Sequence, residues 1–266
     1  MQLIKKDDVA LAYEDIGQGN QDLLFVHGWS CDHTVFARQS EFFGCSHRVV
    51  SVDLRGHGKS DAPDGDYTMA SFADDLAWMC RELGLVKPVV AGHSMGGNVT
   101  LELAARYPDI PGSVVLIDSI VFPSRSFRTA LQPVFQKLQG PDYAAVCRHA
   151  MLSTCLSTDD DQRKLELIAS LPKAPQHVLT STLRNHLLEY DSTFAATGCR
   201  VPAAYISAAI STANLNQFQG LTPQLVTAQT LGSGHFSPVF VPEQINWMLT
   251  QFLAIHPPMS NIDQVK

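Results

Sequence analysis

Ser94 sits in the run Gly92-His93-Ser94-Met95-Gly96-Gly97, a G-x-S-x-G pattern whose glycines leave a serine hydroxyl projecting from a sharp turn. A serine hydroxyl is a poor nucleophile near neutral pH and needs an adjacent base. Ten histidines are available. His27, His57 and His93 fall inside tight glycine-bearing loops, where packing or hydrogen bonding accounts for them. His149, His177 and His186 fall in helical patterns, where a lone histidine is surface or satisfied core. His235 differs, because Gly232-Ser233-Gly234-His235-Phe236 follows the last strand pattern and precedes the last helix. A base there shares a rim with Ser94 if the strands between them run parallel.

The surrounding patterns supply such a sheet. Residues 9–14, 22–27, 48–53, 87–91 and 113–118 read as strands, with helices at about 69–84 and 95–107 between them. Ser94 then stands between the strand KPVVA and an amphipathic helix, the strand–turn–helix setting that a nucleophilic serine requires. From about 119 to 198 the pattern turns helical, with Thr158-Asp159 reading as one helix cap and 176–190 as a helix. Strands resume at 201–208 and 225–231, before a closing helix at about 242–255 and a loose tail at 256–266. The predicted fold class is α/β: a mostly parallel sheet with helices on both faces and an inserted helical cap. The core comprises 1–118 and 199–266, and the cap 119–198.

Bulk properties narrow the partners. A formal net charge of −7 argues against nucleic acid. No segment approaches eighteen uninterrupted apolar residues, and the first residues lack the apolar stretch of a signal peptide, so the chain reads as cytoplasmic with no membrane span. Cys31, Cys45, Cys80, Cys147, Cys155 and Cys199 read as free thiols in that setting, and no C-x-x-C pair points to zinc. Neither metal nor organic cofactor is expected. Asp159, Asp160 and Asp161 read as helix-start charge, as do Asp74 and Asp75.

Four motifs in order resemble the α/β-hydrolase superfamily: His27-Gly28-Trp29, Asp53-Leu54-Arg55-Gly56-His57-Gly58-Lys59-Ser60, Gly92 to Gly97, and Gly234-His235-Phe236. The resemblance covers nearly the whole chain. It implies that the backbone amides of Trp29 and Met95 form an oxyanion hole, with Ser94 as nucleophile and His235 as base. Asp53, Arg55 and His57 are expected to brace their loop.

The third member of that array departs from the common pattern. Most relatives carry the acid in V-P-x-x-x-x-x-G-x-x-D after the seventh strand. Here the run is Val201-Pro202-Ala203-Ala204-Tyr205-Ile206-Ser207-Ala208-Ala209-Ile210-Ser211, with Ala208 for the glycine and Ser211 for the acid. Serine cannot supply the negative charge that orients an imidazole. No Asp or Glu occurs between Asp191 and Glu243. Asp118, the last residue of the strand SVVLID, is the replacement, with Glu189 and Asp191 in reserve.

The expected activity is hydrolysis of a carboxylic ester or lactone of a small molecule. Phe122, Phe127, Phe135, Tyr143, Tyr190 and Phe194 in the cap favour an apolar or aromatic group, and its eight Lys/Arg against seven Asp/Glu imply no charge preference. One alternative is a cofactor-independent dioxygenase of N-heteroaromatic compounds, in which the His235/Asp118 pair is the base; that family has a segment similar to His27 through His33. Another is a ligand receptor on the same fold.

Overall fold

The computed structural model describes residues 1–171 and 174–257. Among the described residues eight strands form one sheet: β1 (Gln2–Lys6), β2 (Val9–Ile16), β3 (Asp22–Val26), β4 (Arg48–Val52), β5 (Val89–His93), β6 (Ser113–Ile117), β7 (Ala203–Ser207) and β8 (Leu225–Gln229). Their spatial order is β1-β2-β4-β3-β5-β6-β7-β8. β1 and β2 are antiparallel, as are β2 and β4, and every other pairing is parallel.

Strands β3 to β7 are almost wholly buried, which explains their unbroken apolar runs. A sheet covered on both faces selects apolar residues at every position. β6 displays the period of two directly. Val114 and Leu116 join one buried cluster with Tyr205 and Phe218, while Val115 and Ile117 join the other with Phe25 and Val50.

Eleven α-helices accompany these strands among the described residues. α1 (Ala37–Phe43), α2 (Met69–Glu82) and α3 (Met95–Arg106) precede β6. α4 (Arg125–Leu138), α5 (Tyr143–Leu152), α6 (Asp161–Ser170), α7 (Gln176–Leu183) and α8 (Thr193–Gly198) lie between β6 and β7. α9 (Leu215–Leu221), α10 (Ser237–Phe240) and α11 (Pro242–Ile255) complete the set. None is long and apolar enough to cross a membrane.

Several local expectations change. The helix expected over 176–190 ends at Leu183 and widens into a π-turn over Arg184–Leu188. The segment Met69–Glu82 is capped by Thr68, whose side chain accepts from Ser71 N–H in a reciprocal capping box. Asp74 and Asp75 therefore lie beyond its first turn, and ion pairs account for them instead: Asp75 meets Arg55 and Lys6, and Asp74 meets Arg106. The cap of α6 is Asp160, which accepts from Arg163 N–H, rather than Thr158-Asp159. α8, the last helix of the inserted segment, packs its Ala195 and Ala196 with Leu101 and Ala104 of α3. Strand β1 and helices α1 and α9 add to the sequence reading. The tail expected at 256–266 lies outside the described residues from 258 onward.

Candidate active site

Ser94 follows β5 directly and opens α3. Its backbone is left-handed at φ 55°, ψ −119°, a conformation that costs an L-residue energy and needs rigid surroundings. Close packing supplies them. A Cβ at Gly92 would strike the backbone of Gly96 and Gly97, and one at Gly96 would strike the carbonyls of Val26 and His27. The helix start is thus pressed between β5 and the loop after β3. Gly28 of that loop abuts the serine, since a Cβ there would lie 3.0 Å from Ser94 Cβ.

Sheet register brings the acid beside the serine. In the parallel β5–β6 pair, His93 lies opposite Ile117, so the next residues, Ser94 and Asp118, leave neighbouring strand ends together. Ser94 N–H donates to Ile117 O at 2.9 Å, and Asp118 N–H to Ile206 O at 2.7 Å. Asp118 also has a positive φ, 43°. Its carboxylate is buried, with Oδ2 2.7 Å from His235 Nδ1 and Oδ1 accepting Ala208 N–H at 3.0 Å. Across the imidazole, His235 Nε2 lies 2.9 Å from Ser94 Oγ.

Burial pushes the Asp118 carboxyl up. The hydrogen bond and charge of His235, with the Ala208 amide and His93, outweigh it and hold the group below the ordinary carboxylate range. An ionised Asp118 places the proton of the imidazole on Nδ1. The Nε2 lone pair then faces the serine hydroxyl, which donates to it.

Of the other acids considered, Glu189 is exposed, and Asp191 is exposed with its carboxylate accepting from Thr193 N–H and Oγ1. Neither has a recorded contact with His235. Ser211, where an acid is common in relatives, pairs its hydroxyl with Tyr205 at 3.2 Å.

Trp29 and Met95 are both buried beside the serine, one on the loop after β3 and the other as the first residue of α3. A helix N-terminus presents its first amides to developing negative charge. The Trp29 indole turns away and donates to Leu179 O of α7 at 3.1 Å.

The histidine backbone is held from two sides. His93 Nε2 donates to His235 O at 2.8 Å, which identifies the protonated nitrogen of His93, because a carbonyl only accepts. Burial pushes His93 down to about 3, so it remains a neutral donor there. From the inserted segment, Thr154 O accepts His235 N–H at 3.2 Å, and buried Asp159 accepts Gly234 N–H at 3.0 Å. Asp159 was expected to be helix-start charge. Within a run of three aspartates, sequence carries no mark that the first turns inward.

A second buried polar pair lies nearby. Asn98 Nδ2 donates to Ile120 O at 3.0 Å and to His186 Nε2 at 2.8 Å. The carbonyl fixes the amide's orientation, so His186 carries its proton on Nδ1. Asp53 braces its loop as expected: it accepts His33 N–H, His33 Nδ1–H and Lys59 N–H, while His27 Nε2 accepts Leu54 N–H. Among the described residues, no three His, Cys, Asp or Glu side chains are grouped as a metal site requires.

Comparison with known proteins agrees with this architecture. A family model described as α/β hydrolase fold matches residues 23–146. The chain is 34% identical over 139 residues to AB hydrolase superfamily protein YisY of Bacillus subtilis, covering 52% of this chain and 48% of that one. Matched segments span about a third to a half of the length of such curated relatives. Among solved structures, an esterase from Thermogutta terrifontis superposes with a TM-score of 0.84 at 24% identity, covering 96% of this chain and 100% of the other. An enol-lactonase from Burkholderia xenovorans gives 0.84 at 21% identity, covering 95% and 100%. With its strand order, its serine turn after β5 and these likenesses together, the chain has the α/β-hydrolase fold.

Proposed function

We propose that this protein is a serine hydrolase acting on a carboxylic ester or lactone of a small apolar or aromatic molecule. The observation that carries this reading is the hydrogen-bonded line Ser94 Oγ–His235–Asp118, with spacings of 2.9 and 2.7 Å. Ser94 Oγ attacks the substrate carbonyl carbon while His235 Nε2 takes its proton. The carbonyl oxygen, now negative, is received by the amides of Trp29 and Met95. Collapse of the tetrahedral intermediate expels the alkoxide, to which His235 returns the proton, leaving an acyl group on Ser94. Water then attacks the acyl carbon with His235 as base, and the acid product leaves. For a lactone the two products are one hydroxy acid.

Residues 119–198 act in this reading as a cap over the serine. Phe127, Phe135, Tyr143 and Tyr190 from that segment pack against the larger buried cluster, and Phe122 packs on Phe218. Phe194 is exposed. The likeness to an esterase and an enol-lactonase is consistent with ester-type chemistry on this scaffold.

A fluorophosphonate probe tests the proposal. The purified protein is expected to take one label on Ser94, with labelling abolished in Ser94→Ala and slowed by orders of magnitude in His235→Ala. A folded protein that does not label, and whose Ser94→Ala variant still consumes oxygen with a heteroaromatic substrate, overturns it in favour of a dioxygenase.

A further inference from the structure

We infer that Asp159 is a positioning residue for His235, so that the inserted segment sets the distance between base and nucleophile. The inference rests on the reading of His235 as the base. Asp159 is 4% exposed, and each of its carboxylate oxygens takes a backbone amide: Oδ1 from Gly234 and Oδ2 from Leu156, at 3.0 and 2.6 Å. One carboxylate therefore ties the turn before α6 to the residue preceding His235. Thr154 O takes the His235 N–H itself at 3.2 Å, and Thr158 Oγ1 donates to Gly232 O at 3.3 Å. The histidine loop is thus attached along 232–235 to residues 154–159.

An independent observation points the same way. A Cβ at Gly234 would lie 2.6 Å from Thr154 O, 2.8 Å from Asp159 Oδ2 and 3.0 Å from Leu156 N. The φ of Gly234 is not positive, so the glycine serves close approach rather than an unusual backbone. The loop that carries the base is seated directly on the turn from the inserted segment.

On the opposite side the His93 imidazole holds the His235 carbonyl. Removing the Asp159 carboxylate loosens one of these two clamps, taking away the Gly234 bond and the bond that shapes the turn presenting Thr154 O, and lets the imidazole shift relative to Ser94. A misplacement of about 1 Å costs roughly a hundredfold in rate. The adjacent Asp160 provides a built-in contrast. It caps α6 from an exposed position by accepting Arg163 N–H, and has no recorded bond to the histidine loop.

The experiment compares fluorophosphonate labelling and ester turnover in the full-length wild type, Asp159→Ala, Asp159→Asn and Asp160→Ala. Asp159→Ala is expected to lower the labelling rate and kcat on the order of tenfold to a hundredfold with KM held. Asp159→Asn, which keeps one acceptor, is expected to fall between it and wild type. Asp160→Ala is expected to lower Tm while labelling at the wild-type rate. The low-field proton resonance of the His235–Asp118 hydrogen bond should be present in the wild type and Asp160→Ala and broadened in Asp159→Ala. Should Asp159→Ala not fold, Asp159→Asn and Gly234→Ala carry the test by the same readouts. Wild-type kcat and an unchanged resonance in the Asp159 variants, or a loss confined to KM, overturn the inference. A wild-type protein that never labels Ser94 counts instead against the hydrolase reading, and the resonance still reports on the Asp159 tether.

Discussion

Ala208 donates its backbone N–H to Oδ1 of Asp118, leaving Oδ2 for His235. The end of β7 thus contributes a main-chain donor to a carboxylate carried by β6. Under the proposed function, the acid stands after β6 rather than in the loop after β7, where the resembled family commonly carries it. A donor from Ala208 fixes the carboxylate plane and favours its ionised form, as a side chain on a loop would require several partners to do.

Asp118→Asn should therefore lower kcat by on the order of a thousandfold or more, because the imidazole loses both its orienting charge and its required tautomer. Glu189→Gln and Asp191→Asn should remain within a few-fold of wild type, since both carboxylates are exposed. Steady-state kinetics on any ester that labels the site, with circular dichroism to establish folding, makes the comparison. A nearly wild-type Asp118→Asn would remove Asp118 from the mechanism.

Much of this arrangement was legible in the sequence, for identifiable reasons. Ser94 announces itself through glycines that close backbone contacts require, and His235 through a glycine loop after a strand. Asp118 is legible because no acid lies between Asp191 and Glu243, which leaves the end of the neighbouring strand to supply one. Asp159 was not legible. Its role depends on which way one of three consecutive aspartates turns, and that is decided by contact with a loop some 75 residues away. The bond between Asn98 and His186 was hidden for the same reason, since helix periodicity does not report what a buried imidazole meets. β1 escaped because its exposed, lysine-bearing edge carries too few apolar residues to alternate visibly.

Acid should destabilise the protein well before its carboxylates titrate. Burial pushes His57, His93 and His186 each down to about 3, and lowers His27 as well. These groups stay neutral when folded but take protons near 6.5 when unfolded. For the three held near 3, the stabilising contribution is complete above pH 6.5 and is lost as pH falls toward 3, at about 1.4 kcal/mol per pH unit for each group; His27 adds to it in the same direction. His33, raised by its hydrogen bond to Asp53, acts oppositely and in a different window, its contribution being complete below pH 6.5 and lost as pH rises above it. Urea midpoints between pH 7.5 and 4.5 should fall steeply. A flat profile from pH 7 to 5 would contradict neutral burial of these histidines.

Asp53 makes a separate contribution at lower pH. Burial pushes its carboxyl up, but His33 and nearby His27, with the amides of His33 and Lys59, bring it down to about 2. A carboxyl held below its unfolded value stabilises the fold above about pH 4, and that stability disappears as pH falls toward 2. Asp53→Asn should cost about 2 kcal/mol at pH 7 and remove this acid limb. Comparing denaturant midpoints of the two proteins at pH 7 and pH 3 reads both effects, and equal losses at the two values would deny the charge its role.

Ser94 offers a direct measure of the strain stored at the proposed nucleophile. Alanine and glycine both remove the hydroxyl and its bond to His235, so their difference isolates the backbone. At an ordinary helical position, glycine is less stable than alanine by about 0.5–1 kcal/mol. At φ 55°, ψ −119° alanine retains a Cβ in a region that costs L-residues about 1–3 kcal/mol, whereas glycine occupies it without that penalty. The usual order should reverse, with Ser94→Gly more stable than Ser94→Ala by about 1 kcal/mol and both unlabelled by the fluorophosphonate. Chemical denaturation of the two variants under identical conditions gives the difference. If alanine proves the more stable, the left-handed serine holds no strain that glycine can release, and the turn must owe its shape to the packing of Gly92 and Gly96 alone.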